Sequence, residues 1–249
     1  MKKTVGTFII FLFLNTLSYS ATNFNTRFRK GETLIYDITA FNVKVAEQRT
    51  VIRDIVTLSN REVYHIHTEI KTIPSVDKIY HLHNIIDSYV DTGTLLPVLI
   101  KTRISEKKWK NETLLYFNRQ DKTIYFKDKR GEKTFSYENE PLSLDTLLFY
   151  IRDLSPLPNG KVTFFLHNRN KIQKVTCYVK YIPLKSYIPG LKKKVRSIHY
   201  RSLNEKGAEL WLTHDEYRIP YQFISIKIPV FHYGSISIIN NLKYYRKGK

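Results

Sequence analysis

Apolar and aromatic side chains in this chain recur at every second residue, in short runs separated by turn-forming residues. That period is the geometry of a β-strand, whose successive side chains point to opposite faces. From Thr33 to Thr39 the alternation runs through Leu34, Tyr36 and Ile38. From Glu62 to Thr72 it puts Tyr64, Ile66 and Ile70 on one face and His65, His67, Glu69 and Lys71 on the other. Comparable runs are Lys78–Val90, Leu95–Ser105, Thr113–Asn118, Thr123–Asp128, Lys161–Leu166, Lys171–Lys180, Val195–Tyr200, Glu209–Thr213, Tyr221–Ile228 and Ser235–Tyr244. Asn60, Asp91-Thr92-Gly93, Asp128-Lys129-Arg130-Gly131, Asn159-Gly160, Asn204 to Gly207 and His214-Asp215 punctuate them. The spacing predicts a mainly β protein, an antiparallel and strongly curved sheet or a barrel or half-barrel.

One stretch departs from period two. Leu144, Leu147, Leu148 and Ile151 recur at helical spacing, with Ser143 placed to cap the first turn and Asp145 favourable to the helix dipole. Pro156 and Pro158 stop the pattern, so a single short amphipathic helix is expected from Ser143 to Asp153, packed against or plugging the sheet.

The amino terminus carries Lys2 and Lys3 ahead of an apolar run from Phe8 to Leu14, with small Ser18 and Ser20 at the -3 and -1 positions of a cleavage site. This is the pattern of a signal peptide spanning residues 1–20, and it predicts one exported β-rich domain over 21–249, periplasmic or secreted. The run is too short to cross a bilayer, so no transmembrane span is expected in the mature chain. The lone Cys177 permits no internal disulfide, so stability rests on the apolar core, and a monomer is expected. The formal charge is +19, and Lys2 and Lys3 leave with the leader, giving +17. An exported chain so basic meets anionic membrane surfaces or other envelope proteins rather than nucleic acid. The cations cluster at Lys107, Lys108 and Lys110, at Lys192, Lys193 and Lys194, and at Arg246, Lys247 and Lys249.

Four segments carry a family resemblance. Phe28-Arg29-Lys30-Gly31-Glu32 with Leu34 and Tyr36, Asp87-Ser88-Tyr89-Val90-Asp91 with Thr94-Leu95-Leu96-Pro97, the stretch from Pro141 to Arg152, and Leu210-Trp211-Leu212-Thr213-His214-Asp215 with Arg218-Ile219-Pro220 resemble, in order, motifs of the DUF3108 family of exported bacterial proteins of unknown function. The resemblance implies an envelope location and supplies no catalytic motif. Lys192 to Lys194 depart from the family's pattern at that point.

No Gly-x-Ser-x-Gly, His-Glu-x-x-His, Cys-x-x-Cys or phosphate-binding glycine loop is present. The sharpest metal pattern is the pair of His-x-His motifs, His65/His67 and His81/His83, which would present imidazoles on one strand face. Their polar neighbours argue for surface histidines, and neither a metal nor another cofactor is favoured. Cys177 reads as a small core residue. The expectation is a non-catalytic binding or carrier protein for a lipid-like or hydrophobic envelope component. Tyr36, Tyr89, Phe149, Tyr150 and Trp211 would line the interior, and Lys192, Lys193 and Lys194 would touch an anionic surface. The alternative is an assembly or scaffold protein that binds through an edge strand or basic face, and a metal-binding protein or hydrolase stands behind both.

Overall fold

The computed structural model describes residues 28–154, 159–168, 171–203, 207–230 and 234–248. The expected leader, and Pro156 and Pro158, lie outside them. Strands β1 (Thr33–Ala40), β2 (Val43–Leu58), β3 (Arg61–Thr72), β4 (Leu82–Asp91), β5 (Pro97–Glu106), β6 (Trp109–Asn118), β7 (Thr123–Asp128) and β8 (Gly131–Ser136) form one meander. A second meander contains β9 (Gly160–Asn168), β10 (Lys171–Ile188), β11 (Lys193–Ser202), β12 (Glu209–Thr213), β13 (Pro220–Val230) and β14 (Gly234–Arg246). β14 pairs with β1, so all fourteen strands make one antiparallel sheet with β8 and β9 at its edges.

The two edges are consecutive in sequence, and the helix between them, α2 (Leu144–Asp153), must therefore cross from one edge to the other. The sheet curls until the edges meet through side chains, without closing. Phe135 of β8 stacks on His167 of β9 with centroids 5.5 Å apart, and Phe117 meets the same imidazole edge-on. Leu142, just before the helix, exchanges backbone hydrogen bonds with Phe165 and His167 and so covers part of the β9 edge.

Strand parity places Tyr64, Ile66 and Thr68 inward and His65 and His67 outward, as the alternation requires. Two strands are absent from the sequence reading. β2 turns Ala46, Gln48, Thr50 and Ile52 inward, a set too small and polar to signal a core face, and β8 is a short, exposed edge strand. The expected strand start at Lys78 is corrected: Pro74–Asp77 forms a single helical turn, α1, because a proline suits the first helical position, and β4 begins at Leu82.

In a meander, alternate hairpins fall on opposite ends. Phe41-Asn42, Ile73 to His81, Lys107-Lys108 and Lys129-Arg130 stand at one end, termed the rim. Ser59-Asn60, Thr92 to Leu96, Arg119 to Lys122 and His214 to Ile219 stand at the other, the base.

α2 lies inside the curl. Ser143 caps it, accepting from the Thr146 amide, while the Thr146 hydroxyl accepts from the Ser143 amide to complete a capping box. Ile151 packs with Phe164, Val179, Leu210 and Leu212 of the second meander, and Phe149 packs with Phe28, Tyr64 and Val90 near the first. The helix is thus the shared core of both halves, which explains why it also buries polar Thr146 and Arg152.

Arg152 is completely buried, and its guanidinium donates to Glu32 at 2.6 Å and to the carbonyl of Tyr217 at 3.3 Å. It also sits 4.7 Å from the centroid of Phe28. Arg218 donates to the carbonyls of Arg152 and Leu154, satisfying the helix's terminal acceptors. These contacts seal the base. Removing one member of a buried pair strands the other charge, so Glu32→Ala is expected to cost about 3–5 kcal/mol in urea unfolding. A double-mutant cycle with Arg152→Met is expected to give strong coupling, and additive losses would show that the pair is not the fastener.

Candidate functional site

Between the first turns of α2 and the rimward half of the sheet lies a chamber of about 140 Å³. Tyr36, Gln48, Thr50, Thr68, Phe149 and Asn240 line it, with Leu144, Asp145 and Leu148 of the helix. Strand parity supplies the lining, since Gln48 and Thr50 precede Ile52 on the inward face of β2 and Thr68 lies between Ile66 and Ile70 on β3. The lining amides and hydroxyls bond mainly to one another: Asn240 donates to Gln48, Gln48 donates to Thr50, and the hydroxyls of Thr50 and Thr68 are 3.1 Å apart.

Asp145 is the exception. No side chain among the described residues pairs with its carboxylate. Desolvation pushes its pKa up from 3.8 to about 6, against the opposing pull of its own backbone N–H. The side chain is enclosed by protein and yet keeps part of its surface toward the chamber, and the neighbouring Leu144 is 54% exposed. Further toward the rim, the inward row continues from Ile70 through Asn84 and Ile104 to Asn111. The carbonyl oxygens of Asn84 and Asn111 are buried without hydrogen-bond partners among the described residues. The inner surface beside the helix is therefore polar, and Arg152 joins the chamber lining with its guanidinium held by Glu32.

Of the aromatic candidates, Tyr36 and Phe149 do line the chamber, and the Tyr36 hydroxyl donates to the carbonyl of Pro220 at 2.8 Å. Tyr150 is half-buried between the helix and Phe164. Tyr89 and Trp211 are corrected to the outer face. Their inward neighbours are Ser88, Val90, Leu210 and Leu212, and each aromatic instead stacks on an outward histidine, His65 or His199. Lys192, Lys193 and Lys194 are exposed at the base, where Lys193 pairs with Asp215 at 3.3 Å.

The histidines do not gather. Register pairs His67 with Asp87 and His83 with Lys71, four residues further along β3, a separation of roughly 13 Å at strand rise. His65 and His67 each approach the same Asp87 oxygen at 2.8 Å, while His83 bonds to Glu69 and His81 to Asp77. Partial burial of Asp87 favours its neutral form, but the hydrogen bonds with His67 and His65 hold it below the usual range. No group of three or more His, Cys, Asp or Glu among the described residues is arranged to hold a metal ion. Burial pushes the Cys177 thiol up to about 11, away from nucleophilic use. No described helix is long and apolar enough to cross a membrane.

The family model described as "Protein of unknown function (DUF3108)" matches residues 35–238. No curated protein matches the sequence. Among solved structures, the chain is similar to a β-barrel-like protein of the domain of unknown function DUF1849 from Brucella abortus. The TM-score is 0.59 at 12% identity, and the match covers 89% of this chain and 100% of that one. That likeness is one of fold.

A carboxyl whose folded pKa is raised penalises the folded state above that pKa, and the penalty vanishes below the unfolded value. Asp145→Asn is therefore expected to stabilise the protein by roughly 1–3 kcal/mol at pH 7.5 and to have no effect below about pH 4. Urea unfolding across that range is the check, and a variant that is less stable than wild type at pH 7.5 would show that the carboxylate has a partner.

Proposed function

This chain belongs to the DUF3108 family of proteins of unknown function, and on that premise we propose that it is a non-catalytic binding protein of the bacterial envelope. In this reading it is exported to the periplasm and takes the polar head of a lipid-like component into the chamber above α2. The observation that carries the reading is Asp145, an enclosed carboxylate with no side-chain partner among the described residues, facing a chamber lined by amides and hydroxyls. The volume argues for a head group rather than a whole apolar chain. About 140 Å³ admits a group near the size of benzene, whereas pockets for drug-sized ligands begin at roughly 300 Å³. The Asp145 carboxylate and the carbonyl oxygens of Asn84 and Asn111 favour a ligand that donates hydrogen bonds, such as an ammonium or a polyol. The positive charge of the chain favours work beside an anionic membrane.

A specific observation favours the scaffold alternative as a second reading. β10 runs on to Ile188, while its pairing with β9 ends at Val179, so Lys180 to Ile188 have no strand on that side among the described residues. Tyr181, Leu184 and Tyr187 are exposed there, a stretch open to strand addition.

Native mass spectrometry of the chain purified from a bacterial periplasm separates the two. The carrier reading expects added mass that organic extraction releases, absent from Asp145→Asn. Equal mass for wild type and variant, with no extractable ligand, would sink it, and a discrete protein partner lost on Leu184→Lys would favour the scaffold.

A further inference from the structure

The rim carries side chains that a water-facing hairpin has no structural reason to display. Phe41 is 70% exposed, Val43 61%, Ile79 86%, Tyr80 38% and Trp109 40%, and all belong to the hairpin ends on this side of the sheet. Single exposed apolar residues are ordinary, but a set gathered at one end is a surface. Phe41 is also conformationally out of place. It and Asn42 form a two-residue turn with φ of 51° and 62°, a geometry that suits Asn and Gly and strains a bulky aromatic.

These tips form a connected edge. The Ile73 amide donates to the carbonyl of Val45, the Lys107 amide to that of His81, and Lys129 Nζ to that of Lys110. Exposed Lys78, Lys107, Lys108, Lys110, Lys129 and Arg130 stand among the apolar tips, with Lys107 Nζ 4.8 Å from the Tyr80 centroid and Lys129 Nζ 5.6 Å from that of Trp109. Among the nearby acids, Glu106 stands opposite Trp109 in the β5–β6 hairpin, and two others are engaged locally. Asp77 accepts from Thr72 and bonds to His81, and Asp128 accepts from the Arg130 amide.

From this juxtaposition we propose that the rim is a membrane-docking face, on which Phe41, Ile79 and Trp109 enter the interfacial layer of an anionic bilayer while the surrounding lysines and Arg130 contact its phosphates. Aromatic rings favour the interface between headgroup and chain, and lysine stems can lie along apolar surface with their ammonium groups among anionic headgroups. The face locates the membrane contact of the proposed function and rests on that reading for its purpose, because the helix turn that carries Asp145 lies toward the same end. The binding itself does not depend on the chamber.

Co-sedimentation with phosphatidylcholine vesicles, with and without phosphatidylglycerol, tests the proposal. Wild type is expected to bind the anionic vesicles and to leave the neutral ones in solution. Phe41→Ser/Ile79→Ser/Trp109→Ser and Lys107→Glu/Lys108→Glu/Lys110→Glu are each expected to weaken binding by about tenfold or more. These positions lie outside the core, and circular dichroism checks that the sheet is retained. Leu184→Ser/Tyr187→Ser, on the flank, is expected to bind as wild type does, and since the ligand is read by native mass spectrometry and the docking by sedimentation, failure of the ligand reading and failure of the docking reading give different results. Wild type that ignores both vesicles, or rim variants that bind undiminished, overturns the proposal. Binding that survives the serine variant, fails only in the glutamate variant and is competed by polyglutamate assigns the rim to an acidic protein instead.

Discussion

The arrangement turns on one buried ion pair, Arg152 with Glu32. A charge at the end of an interior helix has a heavy desolvation cost, and the fold meets it with a carboxylate from the chain entering β1, a carbonyl from the turn before β13 and the face of Phe28. Each partner comes from a different part of the sequence. The pair therefore does more than hold the helix: it ties the start of the first meander to the turn before β13.

The segments that carry the family resemblance gather at this base. Phe28 to Glu32 contributes the ring and the carboxylate, the stretch from Pro141 to Arg152 is the helix with its capping strand, and Arg218 closes the helix carbonyls. The segment from Asp87 to Pro97 makes a basal turn in which Asp91 accepts from the amides of Gly93 and Thr94, and Leu95 packs beside Phe28. A motif set devoted to sealing one end identifies a fold family without naming a ligand. That is why the family likeness and the activity are legible to such different degrees.

Period two made the sheet readable wherever the inward face is large and apolar, as in β1 and β3, and the cap at Ser143 marked the helix. The same rule was silent for β2, whose inward residues include Gln48 and Thr50, and for β8, which has scarcely an inward face. Size misled at Tyr89 and Trp211. A large aromatic suggests a core residue, but the odd and even positions of its strand decide the side, and both rings fall on the outward register beside histidines. The chamber was hidden for a related reason. Its polar walls sit at inward positions, where a lone Thr68 between two isoleucines is the one signal, and Asp145 at a helix start has a sufficient local explanation in the dipole.

Phe28, Phe149 and the Arg152 network fill the base, and the polar space lies above them beside the first turns of α2. Two separate features then fall on one side of the molecule: the polar lumen and the apolar tips among lysines. Neither follows from the other, because hairpin tips are set by turn residues and the lumen by strand parity. Their shared side follows from the topology, since a helix entering from the β8–β9 seam and anchored at the base leaves its amino-terminal turn facing the rim. Asp145 thus stands on the amino-terminal turn of the helix, toward the end on which Phe41, Ile79 and Trp109 are exposed, and away from the base that the Arg152 network fills.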